Sequence, residues 1–374
     1  MFGWKSLSFS LMISGLFTLS CGSGDVLFSE SHPSWSSDGQ NISFSSRGDI
    51  YVSGIDMFDS INITNSEDSD FEPVWAPNGS LIAYQTHGQY GPEINLISQD
   101  GLTKTNLSSI PAEYYGLVWS PSSDMLAFSS DRAGWKSELA QGALGAMEIY
   151  VSFIDGKGDI QLTFDNAIAT NPTWSPDGSR VAFQSNKDGD FEIYQISIDG
   201  TGLKQLTDNT WPDLSPSWSP DGSQIAFVSS RPKTDFQTDV TTGLDLYLMQ
   251  EDGTRQFAIT NVPYINFTNP SWSPDSKFLV FDGRYSTGVF DQHGIGMKGI
   301  NEIYVMGMYD QYEYWRVTEN KTNNPDLHGG PVWAPDSKTI AFHSGKSGIT
   351  QINTAQIIGE QYEICKIYEE ETCR

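Results

Sequence analysis

The sequence predicts an all-β fold, a seven-bladed β-propeller of four-stranded antiparallel blades. Three observations predict it. A tryptophan-centred pattern recurs seven times in the 374 residues. The shortest spacing between tryptophans, Trp35 to Trp75, is that of a four-stranded blade. Each unit divides into four short β-patterned runs separated by turn residues. The pattern reads Pro-Ser-Trp-Ser-Ser-Asp-Gly at 33–39, Pro-Val-Trp-Ala-Pro-Asn-Gly at 73–79 and Leu-Val-Trp-Ser-Pro-Ser-Ser at 117–123. It continues at 172–178, 216–222, 270–276 and 331–337, so its centres are Trp35, Trp75, Trp119, Trp174, Trp218, Trp272 and Trp333.

The fourth unit shows the strands in order. Pro172 to Ser175 predicts a short first strand, and Pro176-Asp177-Gly178 is turn chemistry, with proline fixing φ and glycine accepting a positive one. Arg180 to Ser185 predicts the second strand. Phe191 to Ile198 alternates apolar and polar, as a half-buried strand does. Asp199-Gly200 is a hairpin signal, and Gln205-Leu206-Thr207 predicts an outer strand. One such sheet cannot bury both faces, so neighbours must stack, and each tryptophan is expected to be an apolar plate between blades.

Trp-Ser-Pro-Asp-Gly, then Ile-Ala-Phe, Glu-Ile-Tyr, Asp-Gly and Leu-Thr, resembles the WD40-like PD40 repeat of TolB and its relatives. The resemblance runs over residues 31–360, the expected propeller, with 361–374 as a C-terminal strand or tail. It implies an envelope protein that docks other proteins. Two segments compete to complete the last blade, Val26 to Phe28 and Glu360 to Tyr368.

Residues 1–20 read as a signal peptide, with Lys5 as the positive start and an apolar run from Leu7 to Leu19 too short for a permanent span. Ser20-Cys21-Gly22 after that run resembles the lipobox of bacterial lipoproteins. The resemblance implies that Cys21 is lipidated and that 21–30 is an anchor linker or closing strand; plain secretion is the alternative. Cys365 and Cys373 then remain, either a disulfide that pins the tail or two free thiols. The chain carries 47 acidic against 21 basic residues, a net charge of -26. Such a surface repels nucleic acid and anionic lipid and suits cationic partners, or it serves solubility alone. Membrane contact is expected only through the lipid, and the protein is expected to be a monomer.

Strand order places the Asp-Gly turns on one face and the loops after second and fourth strands on the other. Three insertions, 131–147, 231–244 and 283–301, all follow a second strand and so project from that other face. Long loops on a rigid scaffold carry function. The candidate ligand-binding residues there are Tyr114, Tyr115, Arg132, Trp135, Trp211, Arg231, Tyr264, Phe267, Arg284, Tyr285 and Phe290. They suit a peptide or glycan; the alternative is that the rings cap the core between blades. A basic residue also follows each tryptophan by twelve or thirteen positions: Arg47, His87, Arg132, Lys187, Arg231, Arg284 and Lys346. An acid opens the third strand in six units, at Asp49, Glu93, Glu148, Glu192, Asp245 and Glu302. The two positions flank one loop, as ion pairs or backbone hydrogen bonds that order it, or as a charged rim.

No Gly-x-Ser-x-Gly elbow, His-Glu-x-x-His or Cys-x-x-Cys is present, so no catalytic residue, metal or cofactor is expected. The sequence also resembles oligogalacturonate lyase, a propeller of similar repeats that binds a metal through late histidines. His293, His328 and His343 fall late as well, but at no tight metal spacing, and His343 reads as a half-buried strand residue. The expected function is a non-enzymatic, exported binding scaffold. A polysaccharide-binding or lyase-like propeller is the alternative.

Overall fold

The computed structural model describes residues 30–57, 59–88, 91–108, 110, 112–132, 146–231, 243–262, 265–285, 301–308, 312–318, 327–346, 349–358 and 363–366. They form seven four-stranded antiparallel blades, at 31–62, 69–106, 114–161, 169–205, 213–258, 265–316 and 327–366. First strands touch first strands of neighbouring blades, so they line the axis, and fourth strands are outermost. A single parallel bridge, Asn301 to Leu327, links blades 6 and 7. No described helix is long and apolar enough to cross a membrane.

All seven tryptophans are buried, each ending its inner strand. Most hold the preceding blade as well as fill the seam. The indole N–H donates to a carbonyl of that blade from Trp119 (to Val74, 2.9 Å), Trp174 (to Val118, 3.1 Å), Trp272 (to Ser217, 3.0 Å) and Trp333 (to Ser271, 3.1 Å). A buried aromatic thus satisfies its polar handle. The ring closes the same way: Trp35 donates to Val332 at 3.3 Å and packs with Ala334, Ala341 and Ile352 of blade 7. Of the two candidate closing segments, Glu363–Lys366 forms the outer strand of blade 7 by pairing with Ile349–Ile358. Val26 to Phe28 lies outside the described residues.

The turns after the tryptophans form one face, called here the turn face. Three of them carry serine where the others have glycine or asparagine-glycine, yet Ser123, Ser276 and Ser337 still adopt φ near +60°. Their hydroxyls offset that strain by accepting a backbone N–H from the preceding blade's turn, at Asn78 (3.0 Å), Asp221 (3.1 Å) and Asp275 (3.1 Å).

The expected strand limits shift in one instructive way. In blade 4 the outer strand is Lys204–Gln205 and stops before Thr207. Thr207 leaves the ladder, and its hydroxyl takes the backbone N–H of Ile193 at 2.8 Å. The same exchange is made by Thr64, Thr163, Thr260 and Thr318 on Ile50, Ile149, Leu246 and Ile303.

Candidate functional site

The opposite face, the loop face, is ordered by the acids that open the third strands. Five of the six pair with these threonines, and Glu93 accepts from Asn106 Nδ2 at 2.6 Å instead. Thr64 donates to Asp49 at 3.0 Å and Thr260 to Asp245 at 2.9 Å; Thr163 donates to Glu148 and Thr318 to Glu302. Asp49, Glu148 and Glu192 also accept the backbone N–H of Ser66, Asn166 and Asn209, fixing the start of the loop to the next blade. The acid is therefore a loop-ordering anchor. The threonine of Leu-Thr was the sequence signal for this, since an outer strand needs no hydroxyl at that place.

The basic residues find other partners. Arg132, 5% exposed, pairs with Asp159 of its own outer strand and lies 3.7 Å from the Tyr150 ring centroid. Arg231 meets the buried Asp213 at 2.6 Å and lies over Phe227 and Tyr247. Both are clamps inside a blade, with their charge already committed.

The aromatic candidates divide. Tyr114 and Phe267 are 1% and 0% exposed and belong to the core, which corrects their place on the expected surface. Tyr114 opens its inner strand and Phe267 is the third residue of Ile265–Trp272, and there the side chains turn into the seam. Phe267 meets Phe281 and Tyr304 edge-on, and the Tyr114 hydroxyl is bonded to Ser108 and the Ile110 carbonyl. Tyr115, Trp211 and Tyr285 are half-buried and Arg284 is exposed at the loop face. Tyr285 places its hydroxyl 3.4 Å from that of Tyr304. Trp135, Tyr264 and Phe290 lie outside the described residues, as do Cys21, Cys373, His293 and all but the bases of the three insertions. Those bases are described: each insertion leaves from the loop-face end of a second strand, at Ser130, Ser229 and Tyr285.

Inside the loop face a ring of polar residues surrounds the axis. Three residues before each tryptophan the inner strand bulges, with positive φ at His32, Glu72, Gly116, Asn171, Ser215, Asn269 and Gly330. Neighbours in this ring touch: His32 Nε2 lies 3.7 Å from Glu72 Oε1, and Asn171 Nδ2 lies 3.5 Å from Ser215 Oγ. In blades 1, 2, 4, 6 and 7 the residue after the second-strand phenylalanine or tyrosine braces the ring. Ser45 and Gln184 accept the bulge N–H of the next blade, Glu72 and Ser215, at 3.0 and 2.7 Å. Gln85 donates to Glu72 at 2.6 Å. In blade 6 the brace is Asp282, buried, which accepts from Asn269 Nδ2 at 2.8 Å and from the Gly330 N–H. In blade 7 it is His343, packed against Gly329 and Gly330.

Burial pushes the carboxyls of both Glu72 and Asp282 up to about 7. Burial, with His32 and His328 nearby, pushes His343 down to about 4. Glu192, desolvated beside Asp213, is also raised to about 7, and Glu113, Asp131 and Glu148 rise for the same reason. The sequence could not pair His32 with His343, because ring closure joins opposite ends of the chain. Among the described residues no three His, Cys, Asp or Glu side chains converge so as to hold a metal ion.

The geometry defines a propeller with a polar axial ring and a face from which the three insertions leave. Residues 136–242, from blade 3 through blade 4 into blade 5, match the family model described as the TolB beta propeller domain. Solved structures of similar fold include an oligogalacturonate lyase from Vibrio parahaemolyticus, 15% identical, with a TM-score of 0.67 over 90% of this chain and 92% of that one. An oligogalacturonate lyase in complex with manganese is 18% identical, with a TM-score of 0.65 over 89% and 90%. TolB from Acinetobacter baumannii is 19% identical, with a TM-score of 0.52 over 78% and 64%. At these identities the likeness is one of fold, and propellers host many activities.

Proposed function

We propose that this protein is a non-enzymatic binding scaffold of the cell envelope, exported and held by a lipid on Cys21, that docks a cationic protein or peptide on its loop face. One observation carries the reading. Glu72, Glu113 and Asp131, all desolvated, gather near the half-buried Tyr115 on the face from which all three insertions spring. Partly desolvated carboxylates lose less hydration than exposed ones when a cation covers them, and a tyrosine beside them offers rigid contact area. The net charge of -26 steers such a partner inward. The test replaces 133–145, 232–242 and 286–300 singly and together with short Gly-Ser linkers, then compares partner capture and glycan-array binding. The reading expects capture to fall with each replacement while the melting temperature holds. Unchanged capture by the triple variant would refute it.

A lyase-like activity is the second reading, favoured by the approach of His32, His328 and His343. The described residues do not fit a bound metal, since no three donors converge, and no catalytic step is derived through one. Turnover of oligogalacturonate by the wild-type protein, lost in His343→Ala, would favour this reading over the scaffold.

A further inference from the structure

The seam between blades 7 and 1 differs from the other six in its covalent make-up. Elsewhere the chain itself runs from one blade to the next, while blades 7 and 1 come from its opposite ends. All four described strands of blade 7 belong to 327–366, so no described strand is shared across the closure. The seam is held by an apolar cluster of Trp35, Ile42, Phe44, Ala334, Ala341 and Ile352. Polar contacts add to it. Trp35 donates to Val332 at 3.3 Å, the longest of the five indole bonds that cross a seam, and the Ile352 N–H donates to Glu30 at 2.9 Å.

His343 stands towards the loop-face end of this seam. It follows Ala341 by two residues, which places it on the same side of the strand, and it lies opposite Ile352 in the ladder. Its ring lies against bare backbone: a β-carbon on Gly329 would stand 2.9 Å from its Nε2, and one on Gly330 3.3 Å from its Nδ1. Gly330 and His32 hold the same position in neighbouring inner strands, so imidazoles from the two ends of the chain share one rim. His343 Nδ1 is buried with no hydrogen-bond partner among the described residues.

The groups around it offer little to balance a positive charge. His328, on the adjacent inner strand, is a third imidazole, and its Nε2 lies 3.9 Å from Glu302. From blade 1, His32 faces Glu72 at 3.7 Å, Glu30 accepts the Ile352 N–H, and Tyr51 adds a phenol to the seam. From blade 6, Asp282 accepts from Asn269 and from the Gly330 N–H. Burial, with His32 and His328 nearby, holds His343 down to about 4, and burial lowers His32 as well. Glu72 and Asp282 move up to about 7, so both are protonated before His343 gains its charge. An imidazolium formed in the closed seam therefore meets other imidazoles and neutral carboxyls, whereas parted blades give it water.

We propose that the seam between blades 7 and 1 is an acid-operated gate: a proton on His343, set beside His32 on bare backbone, parts the two ends of the chain and opens the ring. His343 binds its proton less tightly closed, near 4, than open, near 6.5, so falling pH favours the open form between those values. Opening leaves Glu72, Glu192 and Asp282 in their own seams, held by Gln85, Asn209 and Asn269. Those raised carboxyls oppose global unfolding in the same interval, so the gate and global unfolding respond to acid in opposite directions.

Hydrogen exchange of the whole protein, read by mass spectrometry and corrected for intrinsic rates at each pH, tests this. From pH 7 to 4.5 the opening constant of 31–35 and 349–358 should rise about fiftyfold, while that of 169–185 in blade 4 stays flat or falls. His343→Gln, which carries no charge at any pH, should remove the rise. His32→Gln should leave a smaller rise, because His343 without that neighbour moves back towards its ordinary value. The comparison of the two regions within the wild-type protein stands without either variant. A flat wild-type profile at 31–35 and 349–358, an equal rise in blade 4, or a full rise kept by His343→Gln would overturn the gate.

Discussion

The two faces of the propeller are made by one repeat, yet they hold their carboxylates in opposite ways. On the turn face Asp38, Asp100, Asp124, Asp177, Asp199 and Asp252 are exposed, and serine or threonine hydroxyls and turn N–H groups pull each below the ordinary range. Asp177 is the extreme, near 2, held by Ser175 and Ser179. On the loop face and axis Asp70, Glu72, Glu113, Asp131, Glu148, Glu192 and Asp282 are all raised by burial. Hydrogen bonds to a solvated carboxylate stabilise its charge, while desolvation opposes it. The turn face spends its acids on closing turns. The loop face keeps its acids in desolvated places that favour the neutral form, where an incoming cation would gain most by restoring their charge.

The largest effect is expected where both faces share a seam. Trp272→Ala should cost about 4 kcal/mol in urea unfolding, from the lost plate and its bond to Ser217. Arg231→Met should cost about 3 kcal/mol, because Asp213 would stay buried without its counter-charge. A loss below 1 kcal/mol would mean that Asp213 has another source of compensation.

Acidity should separate the faces. Glu72 binds its proton more tightly folded, at about 7, than unfolded, near 4.5, so the folded state carries more protons between those values. Its stabilisation is complete below the unfolded value and lost as pH climbs through 7. Asp177 runs the other way: its contribution is present above 3.8 and lost as pH falls towards 2. Unfolding free energy should therefore rise from pH 8 to 5 and fall below pH 4. Glu72→Gln should flatten the first slope by on the order of 2–3 kcal/mol, leaving the acid limb intact. An unchanged slope would place the effect elsewhere on the loop face.

Smaller changes belong to the turn face. Asp177→Ala should cost roughly 0.5–1 kcal/mol, the value of exposed turn hydrogen bonds. Ser123→Gly should stay within about 0.5 kcal/mol, because relief of positive φ offsets the lost bond to Asn78. Thermal melts of both resolve these differences.

What the sequence shows follows the same division. Blade number, strand order, the seven tryptophans and the turn face are local chemistry, written within a dozen residues, and the pattern from Trp35 to Trp333 carries them. The separation of faces was legible too, since strand parity fixes it. The loop-face site was legible only as a region. Tyr114 and Phe267 look like rim aromatics until the start of the inner strand turns them into the seam. Glu148 and Thr163 lie fifteen residues apart, and a Leu-Thr pair reads as outer strand unless the hydroxyl is given a partner. The axial ring depends on a bulge three residues before each tryptophan, which no residue type marks, as His32, Glu72 and Asn269 at one position show.

The most direct measurement is a carbon-13 NMR titration of side-chain carboxyls in protein labelled at aspartate and glutamate, assigned through Glu72→Gln, Asp282→Asn and Asp177→Asn. Midpoints near 7 for Glu72 and Asp282 and near 2 for Asp177 are expected. If all three titrate together in the ordinary range around 4, the faces do not differ in the way described, and the case for a desolvated docking face is lost.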